Sequence, residues 1–178
     1  MTPATTGAEG AATSPTLRLA RWTASSGSNV QSRGAVLIEA GSHHWRAAAE
    51  GNGAIDALFN AVDAALAEVL EGHPRLVGYD VHALAEGPEA EGLVIVAVQP
   101  PPGEGPRSEG LYNGKSRSTN IIAASIEAYI KALNAMLAEA HWADAPASAG
   151  KGRKRAPESH GRRGQLDKDV DDTLPWVG

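Results

Sequence analysis

Cysteine is absent from all 178 residues, which excludes a disulfide scaffold, thiolate metal sites and a cysteine nucleophile together. Aromatic side chains make up only 4% of the chain, so a core has to be built from Val, Ile, Leu and much alanine. No apolar run approaches the roughly 18–20 residues that a membrane-spanning helix needs. Residues 1–14 lack the basic start and apolar stretch of a signal peptide. They are expected to be a disordered leader on a cytoplasmic protein. Positive charge is also scarce: 16 Lys and Arg against 21 Asp and Glu give a net charge of −5. That balance exerts no general pull toward nucleic acid or anionic membranes.

What is present is enough for one domain. Hydrophobic residues are 42% and charged residues 21% of the chain, the proportions of a globular fold. The domain is expected over residues 15–142, and residues 143–178 read as a disordered tail. Within that tail a basic run (Lys151, Arg153, Lys154, Arg155, Arg162, Arg163) precedes an acidic patch (Asp167, Asp169, Asp171, Asp172). The folded part is expected to hold the net negative charge, because the two signs nearly cancel in the tail.

Between the tails the same order of elements runs twice. Leu17, Leu19, Arg21 and Trp22 alternate as a strand, Ser25 to Ser32 reads as a polar loop, and Ala35–Glu39 is a second strand closed by Gly41. Trp45–Ala49 is a third, short strand. Ile55, Leu58, Phe59, Val62, Leu66, Val69 and Leu70 fall on one helical face, which predicts a helix over 54–70 ended by Gly72 and Pro74. The second pass gives a strand over 76–85, on which Tyr79, Val81 and Ala83 share a face. A turn at Gly87-Pro88 and a strongly strand-like run, Leu93–Val98, follow. A third short strand is expected within 106–113, then a long helix from about Thr119 to Glu139. The pattern predicts an α+β fold of two pseudo-symmetric βββα units, about 15–72 and 75–140, forming one domain. Three-stranded units leave edges that want a partner, so a dimer is expected.

Two glycine-marked segments stand ahead of the helices: Glu50–Asp56 and Asn113–Asn120. Both read as polar loops, and a helix N-terminus behind such a loop favours a negative group. Ordinary capping is the competing reading. Other candidates carry less. His43, His44, His73 and His82 lack a metal-ligand spacing, so no metal site is expected. Gly114-Lys115-Ser116 lacks the first glycine of a phosphate loop, since Glu109 stands there. Ser125 has no base at a fixed spacing and is expected to pack. No catalytic residue is expected, and no cofactor.

The first glycine segment and its surroundings carry a family resemblance. Gly51-Asn52-Gly53-Ala54-Ile55-Asp56-Ala57-Leu58 resembles the signature of the C-terminal regulatory domain of 2-isopropylmalate synthase, which citramalate synthase shares. Tyr79-Asp80-Val81-His82-Ala83 and the run Ser118–Ser125 with Ala128-Tyr129-Ile130 and Ala132-Leu133-Asn134 resemble its later strands and closing helix. The resemblance covers about residues 16–138. It implies two βββα units, a homodimer, and an effector such as leucine or a related branched-chain metabolite at the dimer interface. By position the effector pocket would fall on Gly51, Asn52, Gly53, Ile55 and Asp56, with Leu76, Tyr79 and Ala83. Ala54 replaces the usual proline, Asn120 a common aspartate and Ser116 a frequent second glycine. The second segment's polar contacts are therefore expected to differ from the family's.

The synthase barrel has no counterpart in this sequence. The resemblance then implies a non-enzymatic, stand-alone regulatory chain that senses its effector and acts in trans on a barrel-only synthase. Two alternatives remain: a non-sensing dimeric scaffold, and a nucleic-acid-associated protein using its basic run.

Overall fold

The computed structural model describes residues 15–146; the expected leader and the basic and acidic runs lie outside them. Strands β1 (Arg18–Gly27), β2 (Val30–Ala40) and β3 (His43–Gly51) precede helix α1 (Ala54–Leu70). Strands β4 (Arg75–Ala83), β5 (Gly92–Gln99) and β6 (Tyr112–Ser118) precede helix α2 (Ile121–Leu137). The strands form two antiparallel meanders, β1-β2-β3 and β4-β5-β6. Each helix lies on one face of its own sheet, α1 over β2 and β3, α2 over β5 and β6. The fold is two βββα units in the α+β class.

Alternation sets the faces. Val36 and Ile38 on β2, and Val94, Val96 and Val98 on β5, are buried beneath the helices. Leu58, Val62 and Leu66 on α1 have no exposed surface within the core. Full burial of such a side chain is worth about 1.5–3 kcal/mol. Ala61, Ala124, Ala128 and Ala132 are buried too, so small side chains bring helices and sheets close where rings are scarce. One continuous core joins the units. Across it Phe59 stacks on Tyr129 with centroids 4.5 Å apart. At the other end Asn134 on α2 clamps Leu17, donating to its carbonyl and accepting from its amide at 2.8 Å each.

Two expectations about loops are corrected. Ser25–Ser32 is not a loop: β1 and β2 continue to a tight turn at Ser28-Asn29, where Asn29 takes φ +62°. Residues 25–31 are exposed on both faces of the hairpin tip, and buried Ser32 is hydrogen-bonded to Ser26 at 2.8 Å, which hides the strand character from a hydrophobic pattern. The third strand of unit two does not fall within 106–113. A short 3-10 turn occupies Pro106–Ser108, and β6 spans Tyr112–Ser118, so most of the expected Asn113–Asn120 loop is strand. Gly114 is a glycine for proximity: a Cβ there would lie 1.9 Å from the Ala128 carbonyl oxygen. Gly51 plays the matching part at the end of β3, where a Cβ would lie 2.4 Å from the Ala57 nitrogen.

Candidate functional site

The two helix starts differ. Asn120 caps α2 with its side-chain oxygen, which accepts from the Ile122 and Ala123 amides at 3.0 and 3.2 Å. Gly53 caps α1 with no side chain, so the Ala54, Ile55 and Asp56 amides receive no side-chain cap. Asp56 reaches backward instead, and its Oδ2 accepts from the Asn52 amide at 2.8 Å. Its Oδ1 has no hydrogen-bond partner among the described residues. Nothing lies within 4 Å of a Cβ built on Gly53. Gly51 is explained by the approach of α1; within one chain Gly53 is not.

The other three expected site residues, Leu76, Tyr79 and Ala83, lie on β4. Spacing alone would put Leu76 and Tyr79 on opposite faces, because side chains alternate along a strand. A β-bulge between Leu76 and Gly78 changes this. Leu76 then pairs with Val98, Tyr79 with Val96, Val81 with Val94 and Ala83 with Gly92. All four therefore share the helix-facing side of the sheet. Unit one repeats the device: a register shift between Leu19 and Arg21 leaves Leu19 opposite Ile38 and Trp22 opposite Val36.

The two strands differ in cover. Leu19, Trp22 and Ala24 of β1 are partly buried against the core. Leu76, Tyr79 and Val81 of β4 remain 46%, 36% and 45% exposed, because α2 lies over β5 and β6 and stops short of β4. Tyr79 alone is tied down from above. Its hydroxyl shares a 2.7 Å hydrogen bond with Ser125, which itself donates to the Ile121 carbonyl at 2.6 Å. Its ring meets Phe59 edge-on at 6.3 Å.

Tyr79 thus connects the β4 face to α1 at Phe59, one turn beyond Ile55. The structure joins Gly51, Asn52 and Asp56 as one cluster at the start of α1, with Gly53 as the cap and Ile55 half-buried beside them. No hydrogen bond links that cluster to Leu76, Tyr79 or Ala83 among the described residues. Val81 belongs to the same face and was not among the expected site residues; its alternation with Tyr79 was the available signal. Phe59 and Ser125 read only as core residues in the sequence, and no local pattern reveals their link to Tyr79.

The remaining candidates find ordinary places. Ser116 is buried on β6 and donates to Glu127 at 2.8 Å. His43 stacks on Trp45, and His44 faces Glu39 at 3.5 Å. No group of three or more His, Asp or Glu suited to a metal occurs among the described residues. The perturbed acid is Asp63 on α1: burial pushes its carboxyl up to about 6, opposed by the Tyr129 hydroxyl it accepts and by His73. Tyr129 is itself shifted upward by burial and by Asp63. This pair sits between the helices, not on the β4 face. No helix among the described residues is long and apolar enough to cross a membrane.

The family model described as "LeuA allosteric (dimerisation) domain" matches residues 5–137. A 2-isopropylmalate synthase from Sediminispirochaeta smaragdinae is 40% identical over 49% of this chain and 15% of its own length. One from Ruminiclostridium cellulolyticum is 34% identical over 64% of this chain and 20% of its own length. One from Methylobacterium nodulans is 31% identical over 70% of this chain and 22% of its own length. The similarity spans about a fifth of those relatives or less.

Proposed function

This chain belongs to the LeuA allosteric (dimerisation) domain family, and from that premise we propose that it is a small-molecule-sensing regulatory domain. It binds leucine or a related branched-chain metabolite at a homodimer interface and modulates a partner synthase in trans. The observation that carries the reading is the β4 face: Leu76, Tyr79 and Val81 share one side and stay exposed where their β1 counterparts are covered. An uncovered apolar strip on an edge strand calls for a second surface. A branched aliphatic side chain lodged between two such strips would be desolvated on both sides.

The start of α1 supplies the polar half of the site. Its uncapped amides suit a carboxylate, aided by the helix dipole. The Asp56 carboxylate suits an ammonium group. Open space over Gly53 supports the same reading, because a ligand or a second copy would fill it. The second helix start is closed by its own Asn120, so the proposed amino-acid site lies at the first.

Calorimetric titration with leucine, isoleucine, valine and their keto acids at millimolar concentration tests this. Saturable binding is expected, with a melting temperature that rises by mass action. Flat titrations across the panel would overturn sensing; a dimer that persists beside flat titrations would favour the scaffold reading. Modulation in trans is checked by assaying a synthase that lacks such a domain, with and without this chain and the effector. An effector can act there only through different affinities for two states of the assembly.

A further inference from the structure

The outer face of the first sheet, turned away from α1, carries a charge pattern that the effector site does not use. The register places Arg18, Glu39 and His44 in one row, Arg21, Leu37 and Arg46 in the next, then Thr23, Ala35 and Ala48, and finally Ser25, Arg33 and Glu50. Both acids on this face are taken. Glu39 pairs with Arg18 and faces His44, and Glu50 pairs with Arg33 at 3.0 Å. Arg21 and Arg46 have neither a carboxylate nor a hydrogen-bond partner among the described residues. They flank Leu37 across a cleft of about 260 Å³, which Thr23 and Ala35 also line. Four arginines against two glutamates make a basic face with an apolar floor on a chain whose net charge is −5. The outer face of the second sheet has no matching row, because Asp80 stands in line with Ile95 and Lys115.

A ligand for that cleft needs closely spaced carboxylates beside apolar side chains. The chain itself contains such a segment: Asp167, Asp169, Asp171 and Asp172 lead into Leu174-Pro175-Trp176-Val177. We propose that the segment 167–177 docks intramolecularly on the outer face of the first sheet, its aspartates on Arg21 and Arg46 and its apolar residues over Leu37 and Ala35. Reach is sufficient. The twenty residues or so after Pro146 extend up to about 70 Å, against a domain on the order of 40 Å across. Tethering raises the local concentration of the segment to the millimolar range, so a modest intrinsic affinity is enough. The proposal is independent of the effector reading: it concerns the face of the first sheet turned away from α1 and from the β4 strip, and a different ligand chemistry.

Backbone amide NMR of the full chain tests it, with the Asp171→Lys/Asp172→Lys variant compared against the parent. The variant is expected to shift the Thr23, Ala35, Leu37 and Arg46 amides while leaving α1 and α2 unmoved. Arg21→Glu/Arg46→Glu is expected to give the same undocked spectrum elsewhere, and combining both pairs of reversals to restore the docked pattern. Salt at about 0.5 M, where the screening length is only about 4 Å, should remove at least half of the difference between parent and variant. Unchanged sheet amides in the tail variant would overturn the proposal. So would shifts that grow with protein concentration, since a second copy would then be the occupant. Amide dispersion in each variant reports folding separately from docking.

Discussion

Tyr129 on α2 donates its hydroxyl to the Asp63 carboxylate on α1 at 2.5 Å, beneath the stack of Tyr129 on Phe59. The hydrogen bond joins the two βββα units where neither sheet connects them. A neutral partner would suit that burial better than an ionised one, which is why the Asp63 carboxyl titrates near 6.

The folded chain therefore holds a proton on Asp63 between about pH 4 and 6 that the unfolded chain releases. Stability from this source is fully present below about pH 4 and is lost as pH rises through 6. A shift of about two pH units corresponds to roughly 2–3 kcal/mol. Asp63→Asn should lack this slope while keeping an acceptor for Tyr129. Urea unfolding of both proteins from pH 4 to 7 checks it; parallel curves would refute the assignment.

Gly114 within β6 and Gly53 at the start of α1 should differ in how much an alanine costs. Gly114→Ala drives a Cβ into the Ala128 carbonyl, and we expect about 3 kcal/mol of destabilisation or more, since helix or strand must move. Gly53→Ala meets open space with an extended backbone, φ −155°, and should cost about 1 kcal/mol or less. Thermal unfolding separates them. If the effector occupies the start of α1, Gly53→Ala should also weaken binding several-fold by calorimetry.

Asn134 supplies both bonds that fix Leu17 ahead of β1. Asn134→Leu keeps the volume but leaves the buried ends of that peptide without partners. The expected loss is about 2–3 kcal/mol, read as a fall in urea midpoint at unchanged m-value. Proteolysis should then begin near residue 17.

Val81 lies on the helix-facing side of its sheet but stays 45% exposed in a single chain, so Val81→Lys should leave the fold within about 1 kcal/mol of the parent. At an apolar dimer interface the same lysine is buried without a partner and should weaken association by at least tenfold. Sedimentation velocity across a concentration series decides. Unchanged association would place the dimer contact elsewhere.

Much of the architecture was legible because it is local. The apolar spacing from Ile55 to Leu70 gave α1 its bounds, and Leu93–Val98 marked β5, because amphipathic periods reflect burial on one face. The hairpin tip at Ser28-Asn29 and strand β6 were misread for one reason. Polar or glycine-rich residues there belong to a sheet through pairing and helix approach, which leave no hydrophobic period. Of the expected site residues, Asn52 and Asp56 prove to be hydrogen-bonded neighbours, a relation their spacing of four allows. The common face of Leu76 and Tyr79 depends on a bulge that spacing argues against.

By itself the sequence determined the two βββα repeats, the scarcity of rings compensated by alanine, and a chain without cysteine chemistry. Each follows from composition or from periodicity along a short stretch. The tertiary structure alone decided which repeat keeps a strand uncovered. β1 and β4 carry the same bulge and comparable apolar residues, yet only β1 is covered by the core. The difference comes from where the two helices settle on their sheets, and that is fixed by contacts between residues far apart in the chain, such as Phe59 with Tyr129 and Asn134 with Leu17.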